Sequence, residues 1–136
     1  MIDAELFVAT ARSLKGARWR HRGRKPWAVD CIGLVVLSLQ GAGVEAIEDE
    51  TRYGREPWDN RLRAGLQRRF GTPVEDWRPG DIALIRFRQD EPSHVGIIAE
   101  HPDGGLTLIH AHNVRGVVEV SLSGPYLQWL VEVYRP

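Results

Sequence analysis

The sequence predicts an α+β fold in which a central helix from the N-terminal half packs on an antiparallel sheet. Apolar residues recur at helical spacing up to about residue 70, whereas short apolar runs separated by turn residues follow from residue 79 onward. Helices that precede a series of antiparallel strands favour a helical layer on one sheet. With 136 residues, 43% of them hydrophobic, the chain can build one core, so we expect residues 1–136 to form a single domain.

Three helices are expected in the N-terminal half. The first is short, amphipathic and ends near Gly16. The second runs from Cys31 to Leu39, and because its apolar residues surround the helix axis it should be buried at the centre of the fold. Gly41 ends it. The third follows Asp59 as a possible N-cap and ends at Gly71.

The C-terminal half predicts five strands after a turn at Pro79-Gly80-Asp81, where proline and glycine suit the central turn positions. The second and third strands read as a hairpin, because the segment between them is rich in turn residues. The predicted strands are Ile82 to Phe87, His94 to Ala99, Leu106 to Ala111, Val117 to Leu122 and Leu130 to Tyr134.

Composition excludes several classes of function. Lys plus Arg equals Asp plus Glu at 18 each, so the net charge of +0 does not indicate a nucleic-acid partner. A single cysteine excludes an intramolecular disulfide framework and a zinc site built from several thiolates. No apolar run reaches the length of a membrane span, and Met1 to Leu14 lacks the pattern of an export signal. We therefore expect no membrane insertion.

Cys31, the single cysteine, lies where the central helix is predicted to begin. Unpaired N–H groups and the positive end of the helix dipole favour a thiolate at such a position, as a nucleophile requires. A free cysteine is also commonly a small buried hydrophobe. Position alone leaves both interpretations open.

Histidines on two neighbouring strands could supply the base and the orienting group that a cysteine nucleophile needs. His94 begins one strand, and His110 and His112 lie in the next. Because side chains alternate between faces, His94 and His110 share a face only if the hairpin loop has an odd number of residues. We predict an odd loop, which also brings His112 to that face. The prediction places these histidines on the same face as the sulfur.

Four segments, in order, resemble the signature segments of the NlpC family of papain-like cell-wall cysteine peptidases. The resemblance extends from about Gly16 to the end of the chain. The segments are Asp30-Cys31-Ile32-Gly33-Leu34-Val35, Arg78-Pro79-Gly80-Asp81-Ile82, Ser93-His94-Val95-Gly96-Ile97 and Leu108-Ile109-His110-Ala111. Three others look most like the branch encoded among phage tail genes: Arg20-His21-Arg22-Gly23-Arg24, Tyr53-Gly54-Arg55 and Val133-Tyr134-Arg135-Pro136.

The resemblance implies a papain-like fold and an endopeptidase that cuts peptide stems of bacterial peptidoglycan, typically between D-glutamyl and a diamino acid. Cys31 would be the nucleophile, His94 the base and His110 the residue that orients it, with His112 a rival for this third position. No cofactor and no metal are implied. The expected partners are the peptidoglycan peptide and other phage tail proteins. The expected location is the virion tail, or the cytoplasm until assembly or lysis, with action at the cell wall.

Four residues are candidates for substrate binding: Trp19, Arg20, Asp30 and Gly33. Arg20 belongs to a basic stretch that could hold substrate carboxylates, and Trp19 stands where the family commonly has a tyrosine. Gly33 leaves room for a substrate backbone or for close helix packing. Asp30 directly precedes the sulfur.

Three alternatives remain open at this stage. The protein could be a structural tail component that keeps the peptidase fold with little activity. It could be a papain-like amidase or acyltransferase that acts on another amide or ester. It could bind a metal through its strand histidines and His101.

Overall fold

A computed structural model describes residues 2–45, 47, 49, 51, 53, 61–87 and 92–136. The helices are α1 (Ala4–Ser13), α2 (Cys31–Gly41), α3 (Arg61–Phe70) and α4 (Gly124–Trp129). The strands are β1 (Arg18–Trp19), β2 (Arg24–Lys25), β3 (Ala28–Val29), β4 (Ile82–Ile85), β5 (His94–Glu100), β6 (Leu106–His112), β7 (Gly116–Ser121) and β8 (Leu130–Tyr134).

The main sheet has five antiparallel strands in the order β7-β6-β5-β4-β8, so the predicted α+β class is confirmed. The five predicted strands all form, within a few residues of the expected bounds. The predicted third helix is α3, but its expected N-cap, Asp59, lies outside the described residues.

Two groups of elements were not predicted. The stretch expected to be a basic loop forms a small sheet in the order β1-β3-β2, in which β3 pairs parallel to β1 and antiparallel to β2. Each of its strands has two residues, too few to show a periodicity. The six-residue helix α4 before β8 was also missed, for the same reason.

The sheet separates two apolar layers. Helices α1 and α2 pack on one face, where Leu34 of α2 joins Val95 and Ile97 of β5 in a buried cluster. The other face carries a second cluster that includes Ile98 and Leu108. Helix α2 is the buried central helix that its apolar composition predicted, because Leu34 is fully buried.

The hairpin between β5 and β6 has the predicted odd loop. Glu100 pairs with Leu106, which leaves a loop of five residues, 101–105, and the two glycines at positions 104 and 105 take positive φ values of 94° and 84°. The pairing of Ile98 with Leu108 continues in register, so His94 and His110 share one face of the sheet.

That shared face is the opposite one from α2, which corrects the expectation that the histidines and the sulfur lie on a common face. Even-numbered residues of β5 point toward the second cluster, whereas α2 packs on the odd-numbered Val95 and Ile97. The sulfur of Cys31 lies at the N-terminal end of β5, against the backbone N–H of Val95, next to His94 in the chain. Separately, no helix in the described part of the chain is long and apolar enough to cross a membrane.

Candidate active site

The N-terminus of α2 is organised by the carboxylate of Asp30. One oxygen, Oδ1, accepts the N–H of Gly33 at 2.8 Å and a guanidinium N–H of Arg24 at 3.0 Å. The other, Oδ2, accepts the backbone N–H of Arg22 at 2.8 Å and the hydroxyl of Tyr53. Asp30 is 4% exposed, and four donors occupy its two oxygens. It holds the start of the helix in place through these bonds, whereas its predicted contact with substrate stays a prediction.

Cys31 is the first residue of α2 and is partly exposed. Its sulfur lies against the backbone N–H groups of Ile32 and Val95, which favour the thiolate. Because Val95 follows His94, the sulfur meets the strand that carries the predicted base.

Burial nevertheless raises the pKa of the Cys31 thiol to about 12, and the charge of Asp30 adds to the rise. Burial therefore opposes the thiolate that the position at the helix start was expected to favour. The physical reason is that desolvation of the sulfur and a neighbouring carboxylate outweigh the amides and the guanidinium of Arg24.

His94 and His110 form a hydrogen-bonded pair. Nε2 of His94 lies 2.9 Å from Nδ1 of His110, and the two rings stand edge to face with their centroids 5.1 Å apart. His94 is 8% exposed and His110 is fully buried. The bond leaves Nδ1 of His94 as the ring nitrogen that can serve a thiol.

His112 binds the backbone of a turn. Its Nδ1 accepts the backbone N–H groups of Val114 at 3.1 Å and Arg115 at 3.0 Å, in the turn between β6 and β7. That nitrogen is therefore occupied in holding the turn. Of the two candidates for the third position, His110 is the one that contacts His94.

Aromatic side chains form a wall around the histidine pair. Phe87 lies 4.8 Å from His94 between ring centroids, and Tyr126 lies 5.1 Å from His110. Trp129 contacts the rings of Phe87 and Tyr126, with centroids 5.2 and 5.4 Å away.

Burial lowers the pKa of His94 to about 3 and that of His110 to about 4, and nearby positive groups add to the effect. Both imidazoles are therefore neutral at pH 7, as a general base must be.

Comparison with known protein families shows to which family the chain belongs. A model described as the NlpC/P60 family matches residues 16–135. The chain belongs to the NlpC/P60 family. Members of this family are typically cell-wall peptidases. A search of curated proteins found no match.

Solved structures share the fold of this NlpC/P60 domain. An NlpC/P60 family protein from Bacillus cereus ATCC 10987 aligns with a TM-score of 0.70 at 19% identity, over 98% of this chain and 40% of that one. NlpC1 from Trichomonas vaginalis aligns at 0.67 and 21%, over 98% and 44%. The NlpC/p60 domain of the peptidoglycan hydrolase SagA aligns at 0.62 and 20%, over 99% and 100%. The chain thus spans less than half of the first two structures and all of the third.

The remaining predicted binding residues of this NlpC/P60 domain divide into two kinds. Trp19 is half-buried and stacks near His21 with centroids 6.4 Å apart, and the Arg20 side chain is exposed. Gly33 serves packing, because a Cβ there would lie 2.1 Å from the backbone oxygen of Gly23. The close approach of the small sheet to α2 therefore requires glycine at position 33.

Tyr53 is the residue at this site whose contact the sequence reasoning missed. The sequence places Tyr53 only in the segment Tyr53-Gly54-Arg55, whereas in the structure its hydroxyl donates to Asp30 and accepts from Arg24 at 3.0 Å. Burial and the bond to Asp30 raise the pKa of Tyr53, so the hydroxyl keeps its proton and remains a donor. A contact between side chains 23 residues apart leaves no local signal in the sequence.

Metal binding was an alternative interpretation of the histidines. Within the described ranges, no group of three or more His, Cys, Asp or Glu side chains is placed to hold a metal ion. The nitrogens of His94 and His110 that face each other form a hydrogen bond instead.

Proposed function

We propose that this protein is a cysteine endopeptidase that hydrolyses amide bonds in peptidoglycan stem peptides, of the D-glutamyl-diamino acid type. The observation that carries the proposal is the hydrogen bond between Nε2 of His94 and Nδ1 of His110, at the end of β5 that the Cys31 sulfur approaches. Family membership and the peptidoglycan hydrolase among the similar structures support the substrate class.

The first half of the reaction forms a thioester. Nδ1 of His94 removes the thiol proton while the sulfur of Cys31 attacks the carbonyl carbon, which gives a tetrahedral oxyanion. His94, now an imidazolium, donates its Nε2–H to His110. His94 then delivers the proton on its Nδ1 to the leaving nitrogen as the carbon–nitrogen bond breaks, and the amine departs. The neutral starting pair matches the raised thiol pKa and the lowered imidazole pKa.

The second half regenerates the thiol. Water attacks the thioester, His94 takes a proton from that water, and collapse of the second tetrahedral intermediate releases the carboxylic acid. The proton returns to the sulfur of Cys31. Atoms balance as one amide plus one water to one acid plus one amine.

The oxyanion is stabilised at the start of α2. Asp30 already engages the N–H of Gly33 through its carboxylate at 2.8 Å and the N–H of Leu34 through its carbonyl at 3.0 Å. The N–H of Ile32 lies against the sulfur. The N–H of Cys31 is therefore the amide assigned to the developing oxyanion.

The surface beside the site is assigned to substrate. Arg20 is exposed, whereas the guanidinium groups of Arg22 and Arg24 are occupied by Tyr53, Asp30 and Asp49. The exposure of Arg20 supports its assignment to a stem-peptide carboxylate, and Trp19 is assigned to a wall of the groove. The charge reversal Arg20→Glu is expected to raise KM more than it lowers kcat, and Lys25→Glu is the matched control.

The phage tail assignment and location belong to the same proposal. The three segments that resemble the phage tail-associated branch support it, with other tail proteins as partners and delivery to the wall on a virion or after lysis. Fractionation of virions followed by detection of this chain tests the assignment. Its absence from purified virions would remove the tail role and leave the chemistry untouched.

The decisive test of function is digestion of purified peptidoglycan by the wild type and by Cys31→Ala, with mass analysis of the released peptides. We expect the wild type to release fragments that end at D-glutamyl and the variant to release none. Products that carry a transferred acyl group would instead indicate an acyltransferase. Fragments released equally by both proteins would remove Cys31 from the mechanism.

A further inference from the structure

The proposed mechanism uses one ring nitrogen of His110, Nδ1, and gives no role to the other, Nε2. His110 is fully buried, and its Nδ1 is bonded to His94. Its Nε2 is also buried and has no hydrogen-bond partner within the part of the chain that the structure describes. A buried ring nitrogen without a partner is unusual and calls for an explanation.

The reaction requires one particular tautomer of His110. When His94 becomes an imidazolium, its Nε2–H must find an acceptor, so Nδ1 of His110 must carry a lone pair. Because burial keeps His110 neutral, its proton must then be on Nε2. In the other tautomer, Nδ1–H of His110 donates to His94, which forces the His94 proton onto Nδ1. His94 could not accept a proton from the thiol in that state.

The imidazole ring that carries this nitrogen packs against an aromatic ring. The Tyr126 ring is 5.1 Å from the His110 ring between centroids and inclined by 63°, an edge-to-face arrangement. The face of an aromatic ring is electron-rich and accepts an N–H weakly. Among the described residues, the rings of His94 and His112 also lie near His110; Nε2 of His94 is bonded to Nδ1 of His110, and Nδ1 of His112, whose ring is 6.1 Å away, accepts the turn amides.

We propose that Tyr126 is a positioning residue. The face of its ring accepts the Nε2–H of His110 and so holds His110 in the tautomer with the proton on Nε2, which allows His94 to act as a base. The mechanistic consequence rests on the proposed function, whereas the contact itself does not. Trp129 lies in the same helix, and its ring packs against that of Tyr126 with the centroids 5.4 Å apart. The unpredicted helix α4 thereby acquires a role in the site.

The test combines a spectroscopic and a kinetic readout. Two-bond ¹H–¹⁵N spectra of histidine-labelled protein identify the tautomer of His110 without substrate. We expect Nε2–H in the wild type and in Tyr126→Phe, which keeps the ring, and a mixture of tautomers in Tyr126→Leu. We expect Tyr126→Leu to lower kcat by about 10- to 100-fold, the range for removing outer partners that orient imidazole ligands. Tyr126→Phe should restore most of that loss.

Leu127→Ala is the matched control, because Leu127 lies in the same helix and is 46% exposed. It should change neither readout. An Nδ1–H proton on His110 in the wild type would overturn the proposal even if Tyr126→Leu fails to fold. Retention of both the tautomer and kcat in a folded Tyr126→Leu would also overturn it. Failure of the peptidase proposal would appear separately, as an inactive wild type with the Nε2–H tautomer intact.

Discussion

Nε2 of His94 is hydrogen-bonded to Nδ1 of His110 at 2.9 Å, across two strands whose register is set by a five-residue loop. The bond determines which nitrogen of each ring is available for chemistry. It leaves Nδ1 of His94 as the ring nitrogen that can serve a thiol, and it distinguishes His110 from His112, whose Nδ1 accepts backbone N–H groups of a turn.

The first prediction concerns the reactivity of Cys31, the only cysteine. Because the thiol pKa is raised to about 12 and His94 is neutral, the unliganded protein holds a thiol and an imidazole. The rate of alkylation by iodoacetamide should therefore rise about tenfold per pH unit from pH 6 to 9, in proportion to the thiolate fraction. The unfolded protein in urea, with an ordinary cysteine pKa, is the control. A plateau between pH 5 and 8 would instead reveal a thiolate-imidazolium pair.

The second prediction separates the two candidates for the third position. His110→Ala removes the acceptor for His94 and should lower kcat about 100-fold, at the lower end of the range for general acid–base catalysis. His112→Ala should leave kcat within the same order of magnitude and cost about 1 kcal/mol of stability, because it loses the turn contacts. Steady-state kinetics and urea unfolding of both variants check this. A larger kcat loss in His112→Ala would reverse the assignment.

The third prediction follows from the buried histidine pair. The pKa of each ring is depressed in the folded state, so below the ordinary value near 6.5 the unfolded chain binds more protons. Stability contributed by the neutral pair is therefore present above pH 7 and is lost as the pH falls. Between pH 7 and 5 the loss should be on the order of 3 kcal/mol.

Urea unfolding at the two pH values measures that loss. His110→Asn should remove roughly half of the dependence, because one of the two groups is gone. His101→Asn, in the exposed hairpin loop, is the control and should retain it. An identical pH dependence in wild type and His110→Asn would contradict the depressed pKa of His110.

The fourth prediction concerns the two aspartates that cap helices. Asp3 caps α1 through one bond, to the N–H of Leu6 at 3.1 Å, and Asp3→Ala should cost about 1 kcal/mol. Asp30 accepts four bonds while buried, so Asp30→Ala should cost about 3 kcal/mol or more, since Arg24 and Tyr53 also lose a partner. Chemical denaturation of the two variants gives the comparison. Equal losses would show that the contacts beyond the cap contribute nothing.

The central helix and the histidine hairpin were predictable because their signals are local. The apolar run after Cys31 is long and uninterrupted, and period-2 runs with a glycine-rich connection mark β5 and β6. Because side chains alternate between the faces of a sheet, an odd loop length was enough to predict that His94 and His110 share a face. Four ordered motifs supported the resemblance to the NlpC family, and the matched family model confirms that the chain belongs to the NlpC/P60 family.

The rest depends on contacts between distant residues. The reach of Tyr53 to Asp30 and the aromatic wall from Phe87 and Tyr126 arise only when the chain is folded. The raised pKa of Cys31 was not predicted, because the sequence shows where the helix starts but not how far the sulfur is desolvated. The face of the sheet on which α2 packs was not predicted either, because it depends on contacts between distant parts of the chain.

The measurement that most directly tests the central claim is the mass of the intact protein during turnover of a synthetic stem peptide. Samples quenched in acid should contain protein heavier by the acyl half of the cleaved peptide, with the added mass on the peptide that contains Cys31. Cys31→Ala should show neither the adduct nor cleavage, and His101→Asn should behave as the wild type. Cleavage by a protein that never carries the acyl group, or cleavage by Cys31→Ala, would contradict the assignment of Cys31 as the nucleophile.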